Sequence, residues 1–345
     1  MLSRLDDPSF TGPGGPDRPL VVFLGDDVDD EDHDVLFPAM RDRGVAVIRV
    51  HPEELVIRLD RESITFTVDG RPLRPDLVVG WVLDDLLLPG MAQLDVFARA
   101  GVPVINDAIT LFRAQNKLLD SSLLAAAGAL RYPVISGADV RELGSWLDGL
   151  GAPAVIKPLV GHGGRGIERV RDAAERAALL DRIEKDPHQY YAMPWIENPG
   201  RDIRVYTVNH RAVFAMYRYA PPGRWITNVL AGGLLEMCPL TPEIAELAER
   251  ASRGADTLIG GIDVAENLDT GELVVYEVNS CPTCEPPVLV EVADFLAAAA
   301  RDPDAARESW RPGRVHTDFD GSPELFHASK RGRLRTAPTG PIRGS

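Results

Sequence analysis

The sequence predicts an α/β protein, and three observations carry that expectation. Through residue 106, short apolar runs alternate with helical stretches, the rhythm of a parallel sheet covered on both faces. From residue 190 onward, strand-like segments follow one another with tight turn signals between them, as in an antiparallel sheet. The chain of 345 residues is 45% hydrophobic and 26% charged, which suffices for a buried core.

Taken in order, residues 1–18 are rich in Gly, Pro and Asp and read as a loose arm. Residues 20–24 (Leu-Val-Val-Phe-Leu), 45–50, 77–82 and 102–105 read as buried strands, with helices over 35–43 and 93–100. Residues 64–68 and 71–72 form an expected small hairpin turning at Asp69-Gly70. Residues 19–106 are thus expected to be an α/β domain of their own. A second domain is expected over 107–300, with a central subdomain at about 128–192 and a C-terminal one at about 193–300. Within it, helices are predicted over 110–127, 140–150, 172–183, 242–259 and 288–300. Strands are predicted over 132–135, 154–157, 166–170 and 190–193, then over 202–208 and 211–217, paired through Asn209-His210. The polar, Pro/Gly-rich stretch 301–345 is expected to be a disordered tail.

The net charge of −15 (37 basic against 52 acidic residues) argues against nucleic acid or an anionic membrane as a partner. The N-terminus lacks the apolar segment of a signal peptide, and no apolar run reaches membrane-spanning length, so a cytoplasmic location is expected. Three cysteines make no disulfide framework. Cys281 and Cys284 form a lone C-x-x-C among prolines, which favours packing or a substrate loop over redox chemistry.

The most informative stretch is 260–285, two strands joined by a turn at Asp269-Thr270-Gly271. Centring that turn on Thr270 puts Asp263 across from Glu277, and a period of two puts Asn279 on the same face. Like charges facing each other destabilise a sheet. A cation held by Asp263, Glu277 and Asn279 explains them, and such oxygen ligands suit Mg²⁺, with Mn²⁺ as an alternative. By spacing alone, that reading and a merely solvated acidic face stand about even.

Upstream, Gly161-His-Gly163-Gly164-Arg-Gly166 matches G-x-G-x-x-G, yet strand-like residues rather than a helix follow it. This disfavours a dinucleotide fingerprint. Strand, glycine turn, strand is instead the shape of a flap whose N–H groups close over phosphates. Lys157 ends the strand before the flap, and Lys117 begins a helix further upstream. Two lysines, a flap and an acidic patch together point to a triphosphate site.

These motifs, in this order, strongly resemble the ATP-grasp superfamily, and within it the RimK-type α-L-glutamate ligases and related amino-acid ligases, over roughly 106–300. The resemblance implies an ATP-grasp fold behind an N-terminal α/β domain. It gives Lys117 and Lys157 to the ATP phosphates, with the flap glycines, and Met193, Pro194, Trp195 and Ile196 to the adenine hinge. Asp202 and Asn228 become further nucleotide-site residues, and Asp263, Glu277 and Asn279 fall on the family's magnesium ligands. Arg204 and Arg218 become candidates to stabilise an acyl-phosphate oxyanion. Three departures concern the hinge and acceptor: Met193-Pro194 replaces the usual Gln-Glu, Ala231 stands where a basic residue is common, and Ser280-Cys-Pro-Thr283 replaces Ala/Ser-Ser-Pro-Gly.

The implied activity is ATP-dependent ligation of a small-molecule or peptide carboxylate to an amine, such as an amino acid, through an acyl phosphate. A homo-oligomer is left open. A kinase using the same nucleotide site and a non-catalytic nucleotide-binding regulator are the alternatives. The acidic segment 26–34, with seven carboxylates after the first strand, is read as a solvated loop, against a docking site for a cationic amine.

Overall fold

The computed structural model describes residues 18–25, 30–151, 153–161, 164–227 and 234–315. The expected arm (through residue 17) and the stretch 316–345 lie outside the described residues, as do Asp26, Asp27, Asp29, Gly163, Asn228 and Ala231.

The N-terminal parallel sheet is as expected. It comprises β1 (Leu20–Gly25), β2 (Ala46–Val50), β6 (Leu77–Trp81) and β7 (Val104–Ile105) in the order β2-β1-β6-β7. Strand β1 is buried along its whole length, which is why its sequence is an unbroken apolar run. Helix α1 (Asp30–Asp42) starts five residues before the predicted point, so the second half of the acidic segment is helical rather than a loop. Asp32 is buried, and its carboxylate accepts the Cys284 N–H at 2.8 Å. The hairpin at Asp69-Gly70 exists, with φ of 50° and 75° at the turn. It joins β4 (Ile64–Val68) to β5 (Arg71–Leu73), and an unforeseen β3 (Leu55–Leu59) completes a three-stranded sheet.

This first unit does not keep a core to itself. Helix α8 (Pro286–Ala299) packs on α1, and Phe295 and Val292 share one apolar cluster with Val22 and Phe23. Asn106 closes the seam: its buried amide donates to the Ile259 and Ser280 carbonyls at 2.8 Å each and accepts the Leu258 N–H at 2.9 Å. Residues 301–315, expected to belong to the tail, carry structure. Helix α9 (Pro303–Ser309) follows α8, and the buried Trp310 stacks edge-on against Phe295.

Two antiparallel sheets make the rest. A four-stranded sheet, in the order β10-β9-β11-β8, contains β8 (Ile135–Gly137), β9 (Ala154–Pro158), β10 (Glu168–Val170) and β11 (Tyr190–Pro194). Helices α5 (Val140–Leu150) and α6 (Ala173–Lys185) cover it around a small core of their own. The other sheet has five strands in the order β14-β13-β12-β15-β16: β12 (Arg201–Val208), β13 (Arg211–Tyr219), β14 (Leu234–Met237), β15 (Ile259–Glu266) and β16 (Leu273–Asn279). Its β12–β13 turn is the predicted Asn209-His210, both left-handed at φ 46° and 59°.

Three predicted elements change shape. The helix expected over 110–127 breaks into α3 (Ala108–Gln115) and α4 (Lys117–Ala126). Asn116 goes extended to bridge Val160, and its side chain caps α4 by accepting from Leu118 and Leu119 N–H. The helix expected over 242–259 stops as α7 (Pro242–Ala255), because Asp256 turns left-handed at φ 54° and frees Ile259 to enter β15. The strand expected over 132–135 forms instead as β8, three residues later, leaving Tyr132 as a buried side chain.

Candidate active site

A cleft of about 840 Å³, its open mouth included, lies between the four-stranded and five-stranded sheets. Lys117, Lys157, Gly161, Gly164, Met193, Trp195, Ile196, Asp202, Arg218, Asp263 and Glu277 all line it, so one cavity gathers motifs spread over 160 residues of sequence (from 117 to 277).

On one side are the lysines. The Lys117 N–H donates to the Leu159 carbonyl at 2.9 Å, and its Nζ donates to the Gly161 carbonyl at 2.7 Å. The break at Asn116 therefore aims the first turn of α4 at the flap. Lys157 is half-buried on β9, its Nζ 5.5 Å from the Tyr276 ring centroid. Burial pulls its pKa below the usual lysine value, only partly opposed by Glu277. The flap glycines take conformations that side chains resist: φ is 141° at Gly161, 76° at Gly164 and 69° at Gly166.

On the other side is the acidic hairpin. Asp263 does lie opposite Glu277, and Asn279 opposite Gly261. The register then shifts by one residue between Asp263 and Val264, so Val264 pairs with Val275 and Tyr276 is left in a bulge. The expectation that only a cation relieves Asp263 needs correcting. Arg204 grips it through Nε and through Nη2, the latter at 3.2 Å, and Arg218 Nη2 reaches it at 2.9 Å. Burial opposes the charged form of Asp263, yet the two guanidinium groups hold its carboxyl below the usual range. The close approach of Arg204 requires Gly261, where a Cβ would come within 2.8 Å of the guanidinium. Arg218 is buried and also pairs bidentately with Asp202 at 2.6 and 2.7 Å, while Thr227 Oγ1 donates to the same carboxylate at 2.6 Å.

Glu277 differs from Asp263. It is half-buried and makes no hydrogen bond or ion pair among the described residues. Asn279 donates its amide to the Gly261 carbonyl at 3.1 Å and lies 3.5 Å from Asp263. No group of three or more His, Cys, Asp or Glu suited to a metal occurs among the described residues. The oxygen set here is two carboxylates and an amide, with the Glu277 side chain making no hydrogen bond or ion pair among the described residues, and that set fits Mg²⁺ sharing its shell with phosphate and water.

At the hinge end, Trp195 stacks edge-on against Trp225 at 5.4 Å, with Arg169 over the Trp195 face at 4.4 Å. Pro194 pairs with Ala154 in the sheet and does not line the cleft. Gly163 and Asn228 lie outside the described residues. The sequence reading missed Arg201, whose guanidinium pairs with Glu266 at 2.7 and 3.0 Å and stacks on Tyr217 at 3.7 Å. It also missed Tyr276, whose place depends on the bulge, and Asp120, which three residues after Lys117 looks like an ordinary surface acid. The cysteines are free and buried, as the packing reading expects.

A flap sheet facing an acidic hairpin across a cleft roomy enough for a nucleotide is the arrangement of an ATP-grasp fold. Residues 114–290 match the RimK-like ATP-grasp domain, and the chain belongs to that family. Among curated relatives, it is 35% identical over 177 residues to the tetrahydromethanopterin:alpha-L-glutamate ligase of Methanosarcina acetivorans, covering 48% of this chain and 54% of that one. The chain thus spans little more than half that relative's length. It is 30% identical over 251 residues to the probable alpha-L-glutamate ligase 2 of Shewanella sp. (strain MR-4), covering 70% of this chain and 82% of that protein. Among solved structures, the ATP-grasp ligase PsnB, complexed with a phosphomimetic variant of its minimal precursor, Mg and ADP, superposes with a TM-score of 0.65 at 19% identity. That match covers 82% of this chain and 99% of PsnB and speaks to the fold. No helix among the described residues is long and apolar enough to cross a membrane.

Proposed function

We propose that the protein is an ATP-dependent carbon–nitrogen ligase that joins a carboxylate to an amine, releasing ADP and phosphate. The observation that carries this reading is the single cleft in which Lys117, Lys157 and the glycine flap face Asp263 and Glu277. The lysines hold the β- and γ-phosphates, the flap N–H groups cover them, and Met193, Trp195 and Ile196 take the adenine. Asp263, Glu277 and Asn279 would hold Mg²⁺, which when bound offsets charge on the phosphates. A substrate carboxylate oxygen attacks the γ-phosphorus, the bond to the ADP oxygen breaks, and an acyl phosphate results. The amine nitrogen then attacks the acyl carbon, inorganic phosphate leaves, and the amine gives up a proton.

Arg218 faces the cleft while fixed by Asp202 and Asp263, so its guanidinium is pre-organised for oxyanion charge at little cost in reorganisation. Arg204, directly opposite Asp263 in the β12–β15 pairing, grips the Asp263 carboxylate as well. The names of the relatives make an amino acid the first amine to assay, with glutamate at the head of the series, and a small molecule or peptide the carboxylate.

The test is ADP release across paired acids and amines, with hydroxylamine replacing the amine and mass spectrometry of the product. A ligase gives ADP release that depends on the carboxylate and yields a hydroxamate. ADP release with a phosphorylated alcohol and no hydroxamate makes the protein a kinase. Nucleotide binding without any carboxylate-dependent turnover makes it a regulator.

A further inference from the structure

Glu277 reaches the cleft only because strand β16 carries a bulge. On the turn side, Val264 pairs with Val275, Ala265 with Val274 and Glu266 with Leu273. Continued unbroken, that register would set Asp263 against Tyr276 and send Glu277 to the opposite face, since a slip of one residue inverts a strand. The extra residue at the bulge restores the Asp263–Glu277 pair.

Two buried side chains from outside the sheet bracket this bulge. The Tyr132 hydroxyl donates to the Val275 carbonyl at 3.0 Å and lies 3.3 Å from the Tyr276 carbonyl. Asp120, in the first turn of α4, accepts the Val278 N–H at 3.1 Å. Glu277 therefore sits between a held carbonyl pair and a held N–H. Asp120 is 2% exposed, and its other carboxylate oxygen has no hydrogen-bond partner among the described residues. An unpartnered buried oxygen lowers stability, so stability alone does not explain it. The same helical stretch ties the other wall of the cleft. Lys117 contacts the flap, and Ser121 Oγ lies 2.7 Å from the hydroxyl of Tyr191, the residue paired with Lys157.

We propose that Asp120 and Tyr132 are positioning residues that fix the bulge at Tyr276 and thereby hold Glu277 at the spacing from Asp263 that a phosphate-bound divalent cation needs. The inference rests on the ligase reading of this cleft. Neither residue touches nucleotide. Their polar atoms act through the β16 backbone, and Tyr132→Phe removes one such atom while keeping the ring that packs beside Met193 and Ile196.

The test is calorimetric titration of the full chain with ADP, with and without Mg²⁺. In the unsubstituted protein Mg²⁺ is expected to tighten ADP binding. Tyr132→Phe and Asp120→Ala are expected to reduce that enhancement about tenfold or more, in the range seen when groups behind metal ligands are removed. Affinity for metal-free ADP stays within about twofold, and Asp120→Asn, whose amide oxygen still accepts the Val278 N–H, keeps the enhancement. Tyr132→Phe removes one oxygen and serves if Asp120→Ala fails to fold. The inference is overturned if folded Tyr132→Phe keeps the full enhancement, if affinity falls equally with and without Mg²⁺, or if Asp120→Asn behaves as Asp120→Ala. An unsubstituted protein that binds ADP without any Mg²⁺ effect overturns the cation's place in the site as well, and one that binds no nucleotide overturns the ligase reading itself.

Discussion

The two walls of the cleft are built differently. On the five-stranded sheet, the buried Asp202, Arg218 and Asp263 and the half-buried Arg204 form one chain of charges, each held by the next. On the flap side, Lys117 is held through a loop carbonyl and Lys157 through proximity to an aromatic ring. The carboxylate wall is thus a fixed template, whereas the lysine wall is anchored by backbone that glycines leave adaptable. A site that must admit a nucleotide and then close on it gains from that asymmetry.

The largest effect separates the two carboxylates of the rigid wall. Asp263→Ala leaves the partly buried Arg204 without its carboxylate and the buried Arg218 with Asp202 alone, and is expected to cost about 3–5 kcal/mol of stability as well as turnover. Glu277→Gln, with no partner to strand, should lower turnover about a hundredfold or more with stability changed by less than about 1 kcal/mol. Urea denaturation beside ADP-release rates checks both, and equal stability losses would break the contrast between them.

On the adaptable wall, Lys157→Ala should weaken ADP binding about ten- to a hundredfold, the worth of a charge-assisted contact of about 1.5–3 kcal/mol. Adenosine, lacking phosphates, should bind both forms equally in the same titration. Loss of adenosine binding would mean that Lys157 shapes the wall rather than reading phosphate.

A smaller effect is expected at Asn116, whose side chain caps α4. Asn116→Ala should cost about 1 kcal/mol of stability and raise the KM for ATP through Lys117, with kcat changed less. A thermal melt and a nucleotide saturation curve give the two numbers.

The smallest effect lies at the far end of the rigid sheet. Burial lowers the pKa of His210, which hydrogen-bonds Ser252 at 2.9 Å. As pH falls through the unfolded value of about 6.5, the unfolded chain takes up a proton that the folded chain resists, so stability falls on acidification. His210→Asn tolerates the left-handed turn and should flatten stability between pH 7 and 5 without changing kcat. A changed kcat would mean that strain at this turn reaches the active site.

The sequence exposed those parts of the site whose chemistry is carried by local pattern. The Asp263–Glu277 pairing followed from a turn and a period of two, although the turn-side register sums to one residue less and the Tyr276 bulge makes up the difference. The glycine flap was visible because its spacing is a local pattern, and Gly161, Gly164 and Gly166 take positive φ values that side chains resist. What stayed hidden depends on distant partners. The break at Asn116 is imposed by Val160 and Leu159, and neither local propensity nor periodicity could announce it. The arginine grip on Asp263 requires knowing that β12 lies between β13 and β15. Helix α9 docks on α8 through the buried Ala306 and Trp310, two apolar residues in a mostly polar segment.

Asn106 carries a consequence for how the molecule is born. Synthesis runs from the N-terminus, and the parallel sheet has all its strands by residue 105. The groups that satisfy the Asn106 amide lie as far as 174 residues ahead, at Ser280. At ribosomal speed that gap is on the order of ten to thirty seconds, during which a nascent sheet waits with a bare amide and with the α8-facing side of α1 open to its surroundings. The seam is the last thing to shut, so chaperone dependence of the nascent chain should concentrate there, and a fragment ending at residue 106 should not fold on its own.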